Sequence, residues 1–254
     1  MSTVANTVAL TAVHSRYNLL ETIRTPIALI GTLVFPPLAL LFFVVPQQAV
    51  AQDPLLATQA VASMCVFSVM SGGLFSFGIT IAQERERPWD PYLRTLPAPG
   101  IARILGHVFS TGLLGLVSLI PLVIIGALLT AAEVTLPRFA LGLVAIAVTS
   151  LPFMLIGICV GYAFPTKAAI AVVQVLFFGL AFGGGMFLPP QIFPDWLNVV
   201  SQFLPSRQAR DIVIWAVQGG DLSPLSVVGI VAWAVLLLGL ALLLFRRDEG
   251  RRFR

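Results

Sequence analysis

The sequence predicts an all-α integral membrane protein. It has six transmembrane helices, an amphipathic helix ahead of them, a short cytoplasmic helix after the second, and a re-entrant helical hairpin before the last. Three observations carry this. Of 254 residues, 58% are hydrophobic and 10% charged, where a soluble domain carries roughly 25% charged residues. Six apolar runs, at about 27–45, 55–82, 108–129, 139–164, 168–188 and 225–245, approach or exceed the ~20 residues a helix needs to cross a hydrocarbon core. The cations, finally, are unevenly shared between the segments joining these runs.

Ahead of the first run, residues 7–24 place Leu10, Val13, Tyr17 and Leu20 at helical spacing, with His14, Asn18 and Glu21 between them. Such a stripe suits an interfacial helix on the cytoplasmic leaflet; the alternative is a cap packed on the loops. Met1 to Leu10 holds no Lys or Arg, so no cleaved secretory signal is expected. The second and fourth runs are longer than a crossing needs, so they tilt or end among headgroups.

Orientation follows from the rule that Lys and Arg near span ends stay cytoplasmic. With both termini inside, 12 of the 15 cations lie on inner segments, leaving Arg138, Arg207 and Arg210 outside. The pI of about 9.7 therefore reflects topology, and no nucleic-acid partner is expected.

The inner segment 83–99 is unusual. Gln83 to Arg87 is polar and helix-favouring, continuing the second span past the bilayer surface until Pro88 breaks it. Asp90 and Pro91 are an N-cap and first-turn pair. They open a short helix with Tyr92, Leu93 and Leu96 on one side, which Pro97 and Pro99 stop. A stiff protrusion can transmit a push or dock into a groove; the plainer reading makes Arg85, Arg87 and Arg94 inner-face anchors.

On the outer side, residues 189–220 divide into "FPDWLNVVSQFLP" and "SRQARDIVIWAVQGG", each offering a helix of about 10–14 residues, a re-entrant rather than spanning length. Ser206 is placed to cap the second, and Gly219 with Gly220 to end it. Trp196 and Trp215 suit headgroup depth, and Pro194 and Pro205 punctuate the hairpin. Gly183, Gly184 and Gly185 before it suggest a hinge or a close helix contact. Pro36, Pro37, Pro121 and Pro152 are expected to kink their spans. Cys65 and Cys159 fall inside spans, without metal-ligand spacing, and read as packing residues.

What is missing bounds the chemistry. No Gly-x-x-x-x-Gly-Lys-[Ser/Thr] occurs, since the only lysine, Lys167, follows "AFPT"; no ATP site is expected on this chain. No acid or base sits at mid-depth in a span, which argues against a proton-coupled carrier. His14 and His107 lie on different elements, and no nucleophile, paired carboxylate or metal cluster shares a depth, so neither an enzyme nor a metal site is expected.

The "AQERERPWDPYLRTLPAP" loop after span two and the "GGGMFLPPQIFPDWLNVVSQFLPSRQARD" hairpin before span six resemble those of ABC-2 type permeases. These are the membrane subunits of type V ABC exporters, and among them the chain resembles the bacterial drug and antibiotic exporters of the daunorubicin-resistance type. The resemblance covers essentially the whole chain and is most specific at Glu84, Arg85, Glu86, Leu93 and Pro97, and at Pro189, Pro194, Trp196, Leu197 and Pro205. Arg87-Pro88-Trp89-Asp90-Pro91 departs from the family's usual Gly-Thr-like pair after Glu-Arg-Glu.

The resemblance implies that residues 83–99 are a coupling helix docking on a separate ATPase. There Glu84, Arg85, Glu86 and Arg87 would make polar contacts, and Trp89, Tyr92 and Leu93 would fill a groove. It implies two ATPase subunits carrying ATP and Mg, no cofactor on this chain, and a second, identical or similar permease chain. It also implies a bacterial cell membrane, cytoplasmic termini and export of a small hydrophobic molecule, as in multidrug efflux. A pathway between the two bundles would take Phe67, Met70, Gln174 and Phe178 as candidates, with helix packing as the other role for each. Two other functions stay open: export of a lipid-linked glycan or wall polymer, and a scaffold or sensor that binds an ATPase without transport.

Overall fold

A computed structural model describes residues 3–24, 34–86 and 100–251. Among these residues all regular structure is helical: α1 (Thr3–Ile23), α2 (Phe35–Phe43), α3 (Gln48–Ala51), α4 (Pro54–Glu86), α5 (Gly100–Leu129), α6 (Leu136–Thr149), α7 (Leu151–Ala163), α8 (Thr166–Gly183), α9 (Asp195–Gln202), α10 (Pro205–Gln218) and α11 (Pro224–Arg251). Five stretches are long and apolar enough to cross a membrane: Pro54–Glu86, Gly106–Leu129, Leu136–Ala163, Thr166–Gly183 and Pro224–Asp248. They match the second to sixth expected spans. Of the first, residues 27–33 lie outside the described residues, and the nine-residue α2 is what the structure shows.

The bundle is built around α4. Asp53 Oδ1 accepts the amide hydrogens of Leu55 and Leu56, both at 2.9 Å, and so caps its start. Its 33 residues make about 50 Å of helix, more than a hydrocarbon core is thick. From Ala62 to Leu74 every residue is buried. A helix buried all round occupies the centre of its bundle, and α2, α5, α7, α8 and α10 pack around it.

The α4–α7 contact is close because small residues face each other. A Cβ on Gly157 would stand 2.6 Å from the Gly73 carbonyl oxygen, and one on Gly161 2.8 Å from Ile81 Cβ. Gly157-Ile-Cys-Val-Gly161 is thus a small-x-x-x-small contact, which lets backbones approach. Phe67 lies at the centre of an aromatic cluster with Phe35, Phe177 and Phe187, ring centroids 4.9–5.9 Å away.

The structure bears on several local expectations. Pro36 and Pro37 occupy the first turn of α2, where a proline removes no helical hydrogen bond; the chain on the other side of any bend, residues 25–33, lies outside the described residues. The fourth span is two abutting helices that meet at Ser150, with Pro152 in the first turn of α7. Pro121 lies inside a continuous α5. The fifth span ends at Gly183, five residues early, because Gly185 turns the chain at φ +75°.

The N-terminal helix α1 packs along the start of α5. Ser15 Oγ donates to the Gly106 carbonyl at 3.1 Å, and a Cβ on Gly106 would meet His14 Cβ at 2.6 Å. Val13 and Tyr17 face outward and are exposed. Ser15 is thus buried against α5, while Leu10, Leu19 and Leu20 are half-buried and Arg16 is exposed.

Candidate functional site

Two polar clusters stand at opposite ends of the bundle. One gathers the C-terminal end of α4, the turn between α7 and α8, and the end of α11. Phe164 and Pro165 are extended, so they break the helix and bring the first turn of α8 beside the last turn of α4. Arg85 Nη2 lies 2.6 Å from Asp248 Oδ1, and its Nε donates to the same oxygen at 3.0 Å. Nη1 donates to the carbonyls of Gly161 at 2.8 Å and Phe164 at 3.5 Å. The guanidinium also lies 5.7 Å from the Tyr162 ring centroid, a cation–π distance. The Glu86 carboxylate accepts hydrogen bonds from Thr166 N at 2.9 Å and Thr166 Oγ1 at 2.7 Å. An anion there complements the positive end of α8.

The other cluster is centred on α10. Arg210 is buried, and its Nε donates to Ser63 Oγ on α4 at 2.9 Å. Ser63 is nine residues into α4, so the guanidinium reaches about 14 Å along that helix. Asp211 accepts from Arg207 Nε at 2.9 and 3.0 Å and lies 3.4 Å from Arg210 Nη1. Burial pushes the Arg210 guanidinium down to about 10, and the Asp211 charge opposes that shift. Gln218 Nε2 donates to the Leu55 carbonyl at 2.7 Å and Gln59 Nε2 to Gln218 Oε1 at 3.2 Å. Trp233 Nε1, on α11, donates to the Phe203 carbonyl between α9 and α10 at 2.9 Å.

The hairpin is therefore packed into the bundle and tied to α4, α6 and α11. Trp196 is exposed, whereas Trp215 packs against the core. Ser206 does not cap α10. Leu204 holds that position without a side-chain bond, Pro205 follows it, and Ser206 Oγ is buried with no hydrogen-bond partner among the described residues, as are Arg207 Nη1 and Gln208 Oε1. Gly219 does end α10, at φ +85°. The three glycines before the hairpin serve close contact: Cβ atoms would meet Leu204 Cδ1 at Gly183, Ser206 at Gly184 and Pro190 at Gly185, all within 2.9 Å. Pro194 stands just before α9.

Of the coupling residues, Arg87, Trp89, Tyr92 and Leu93 lie outside the described residues. Glu84 is half-buried, and Arg85 and Glu86 direct the bonds above into this chain. Phe67 and Met70 are fully buried and take the packing role here. Gln174 and Phe178 are exposed on α8, where Phe178 stacks on Phe182 with centroids 6.4 Å apart. Two apolar cavities lie elsewhere. One of about 220 Å³ sits between α4, α5, α6 and α10, and one of about 290 Å³ between α4, α5, α6 and α7. None of the four pathway candidates lines either.

His107 is a packed residue, edge-on to Phe77 at 4.6 Å between ring centroids. Sequence reasoning missed Asp248, Arg210 and the Gly157–Gly161 pair. Each left a signal: an acid among the arginines after the last span, a cation in an otherwise apolar hairpin, and a G-x-x-x-G inside a span.

A central helix buried on all sides over its middle and four further stretches able to span a bilayer define a multi-pass helical membrane protein. More particularly, the chain belongs to the ABC-2 type transporter family, which it matches over residues 10–217. It is also similar to a protein of Bacillus subtilis (strain 168) named "Putative transport permease YvfS", with 26% identity over 188 residues, 74% of this chain and 77% of that protein. It is thus a permease subunit of a transporter, and its family implies an ATPase partner.

Proposed function

We propose that this chain is the membrane half of an ATP-driven exporter. Two copies, or one copy and a similar chain, form two six-span bundles in a bacterial cell membrane with their termini in the cytoplasm. Two ATPase subunits carry the ATP and Mg, and the cargo is a small hydrophobic molecule of the drug or antibiotic kind. Residues 87–99 are the coupling element, with Trp89, Tyr92 and Leu93 seated in the ATPase. The observation that carries the reading is the family match, which runs through the segment 83–99 and the hairpin alike. The cation asymmetry supports the orientation. The exposed Gln174 and Phe178 support a pathway along α8, with an amide among aromatic surfaces that adapt to varied cargo.

Switching a bundle from 1:99 to 99:1 outward-facing takes about 5.5 kcal/mol of differential binding, within reach of two nucleotides. The test is affinity purification in mild detergent with mass identification of accompanying subunits, followed by reconstitution in vesicles. An accompanying ATPase and nucleotide-dependent flux of a hydrophobic dye are expected. Hydrolysis without flux would favour the scaffold. Tyr92→Ala with Leu93→Ala is expected to leave the chain folded and uncouple hydrolysis from flux; undiminished flux would remove residues 87–99 from the coupling role.

A further inference from the structure

Arg85 and Glu86 are adjacent, and between them they reach three other helices. Arg85 joins α4 to the end of α7 through two carbonyls and to α11 through Asp248. Glu86 joins α4 to the first turn of α8 through both hydrogens of Thr166. The Asp248 side chain is 6% exposed, and a carboxylate buried that far is costly without a charged partner. A guanidinium can serve a carboxylate and two carbonyls at once, because its donors are spread in a planar fork; an ammonium offers one point. The segment 87–99 continues from Glu86 and runs into α5 at Gly100, so force applied to it reaches α4 beside these two residues and α5 at its other end.

We propose that Arg85, Asp248 and Glu86 form a clamp of positioning residues. The clamp makes the neighbouring ends of α4, α7, α8 and α11 move as one body when residues 87–99 are pushed. It rests on the reading of the chain as an ATPase-driven permease. Its residues touch neither nucleotide nor cargo; they pass displacement from α4 to helices that residues 87–99 do not adjoin in sequence. Within the Glu84-Arg85-Glu86 triplet, Arg85 is half-buried against α7 and α11, while Glu86 is exposed at the surface and holds the first turn of α8.

The test uses the full-length permease purified with its ATPase, and peptide-resolved hydrogen exchange with and without ATP and vanadate. In the wild type, nucleotide is expected to change exchange in the last turns of α11 and the first turns of α8 together. Asp248→Asn keeps the shape and removes the charge. It is expected to retain the ATPase at wild-type yield, while the end of α11 exchanges about tenfold faster and no longer responds to nucleotide. Loss of the ATPase from that variant, or an undiminished response in α11, overturns the clamp. If no ATPase accompanies the wild type, the permease reading fails on its own account, and the clamp is judged on the chain alone. In a thermal cycle of Arg85→Met and Asp248→Asn, non-additive losses support the clamp and additive losses overturn it. Arg85→Lys replaces Arg85→Met should the latter fail to fold.

Discussion

The two arginine clusters differ in how their bonds are distributed along the chain. At the end that adjoins residues 87–99, Arg85 pairs with a residue 163 positions away, and Glu86 with one 80 away. At the other end, one carboxylate, Asp211, answers two arginines of its own helix, one and four positions away, and the ties to α4 are hydrogen bonds rather than ion pairs, from Arg210 to Ser63 and from Gln218 to the Leu55 carbonyl. Long-range pairs bolt separate helices together, whereas a helix carrying its own counter-ion can shift against its neighbours without separating charges. The second end also keeps Ser206 Oγ, Arg207 Nη1 and Gln208 Oε1 buried without partners among the described residues, and buried unpaired polar atoms mark a less settled packing. The first end joins its helices through charge, the second through hydrogen bonds to uncharged groups and packing.

The strongest blow to this contrast falls between the two ends. Gly157→Val places its side chain against the Gly73 carbonyl, and backbone cannot yield as a flexible side chain does. A loss of about 3 kcal/mol is expected, read as a collapsed monodisperse peak on size-exclusion chromatography; a stable Gly157→Val protein would deny the close α4–α7 approach. Next come the two carboxylates. Asp211→Asn leaves Arg210, 6% exposed, without a counter-charge and is expected to cost about 3 kcal/mol. Asp248→Asn leaves Arg85, 21% exposed and still bonded to two carbonyls, and is expected to cost about 1–2 kcal/mol. Thermal melts of the two variants check the order, and a reversed order would mean that the α10 cluster is not the more buried.

A smaller effect is expected for Trp233→Phe, which removes only the bond to the Phe203 carbonyl. A loss of about 1 kcal/mol is expected, and faster exchange confined to residues 195–218 would show that the hairpin loosens by itself. The smallest concerns pH. The folded-state value of about 10 for Arg210 lies below the usual arginine range, so folding disfavours its charged form. That penalty is full below about pH 10 and is relieved only as pH rises beyond it. The Tm difference between wild type and Arg210→Met is therefore expected to stay constant from about pH 6 to 9, and a drift over that range would mean that Arg210 does not keep its charge across it.

The spans were legible in the sequence because bilayer thickness sets a length that apolar runs either reach or miss, and 55–82 and 225–245 fell within a few residues of their helices. The glycines at 183–185 were legible as special but left two roles open, since hinge and close contact ask for the same missing side chain; the neighbours that decide, Leu204, Ser206 and Pro190, lie elsewhere in the chain. Ser206 misled because cap preference is local, while Pro205 and the approach of Gly184 set the start of α10. Phe67 and Met70 stayed open between helix packing and a pathway role, for in a membrane helix the lipid-facing and protein-facing sides are both apolar. Arg85 was legible as important and not as to its partner, since Asp248 lies beyond four intervening spans.

The burial of α4 bears on how the chain enters a bilayer. Its most apolar stretch has a mean hydropathy of 1.8, against 2.9 for α11, and it carries Ser63, Ser68 and Ser71 near its middle. Lipid solvates such a segment less well than it does α11. Ser63 meets Arg210 and Ser68 meets Ser118, both supplied by chain translated afterwards. The pillar of the finished bundle thus gains its full hold only once later segments have been threaded in, and biogenesis, rather than lipid affinity alone, completes its anchoring.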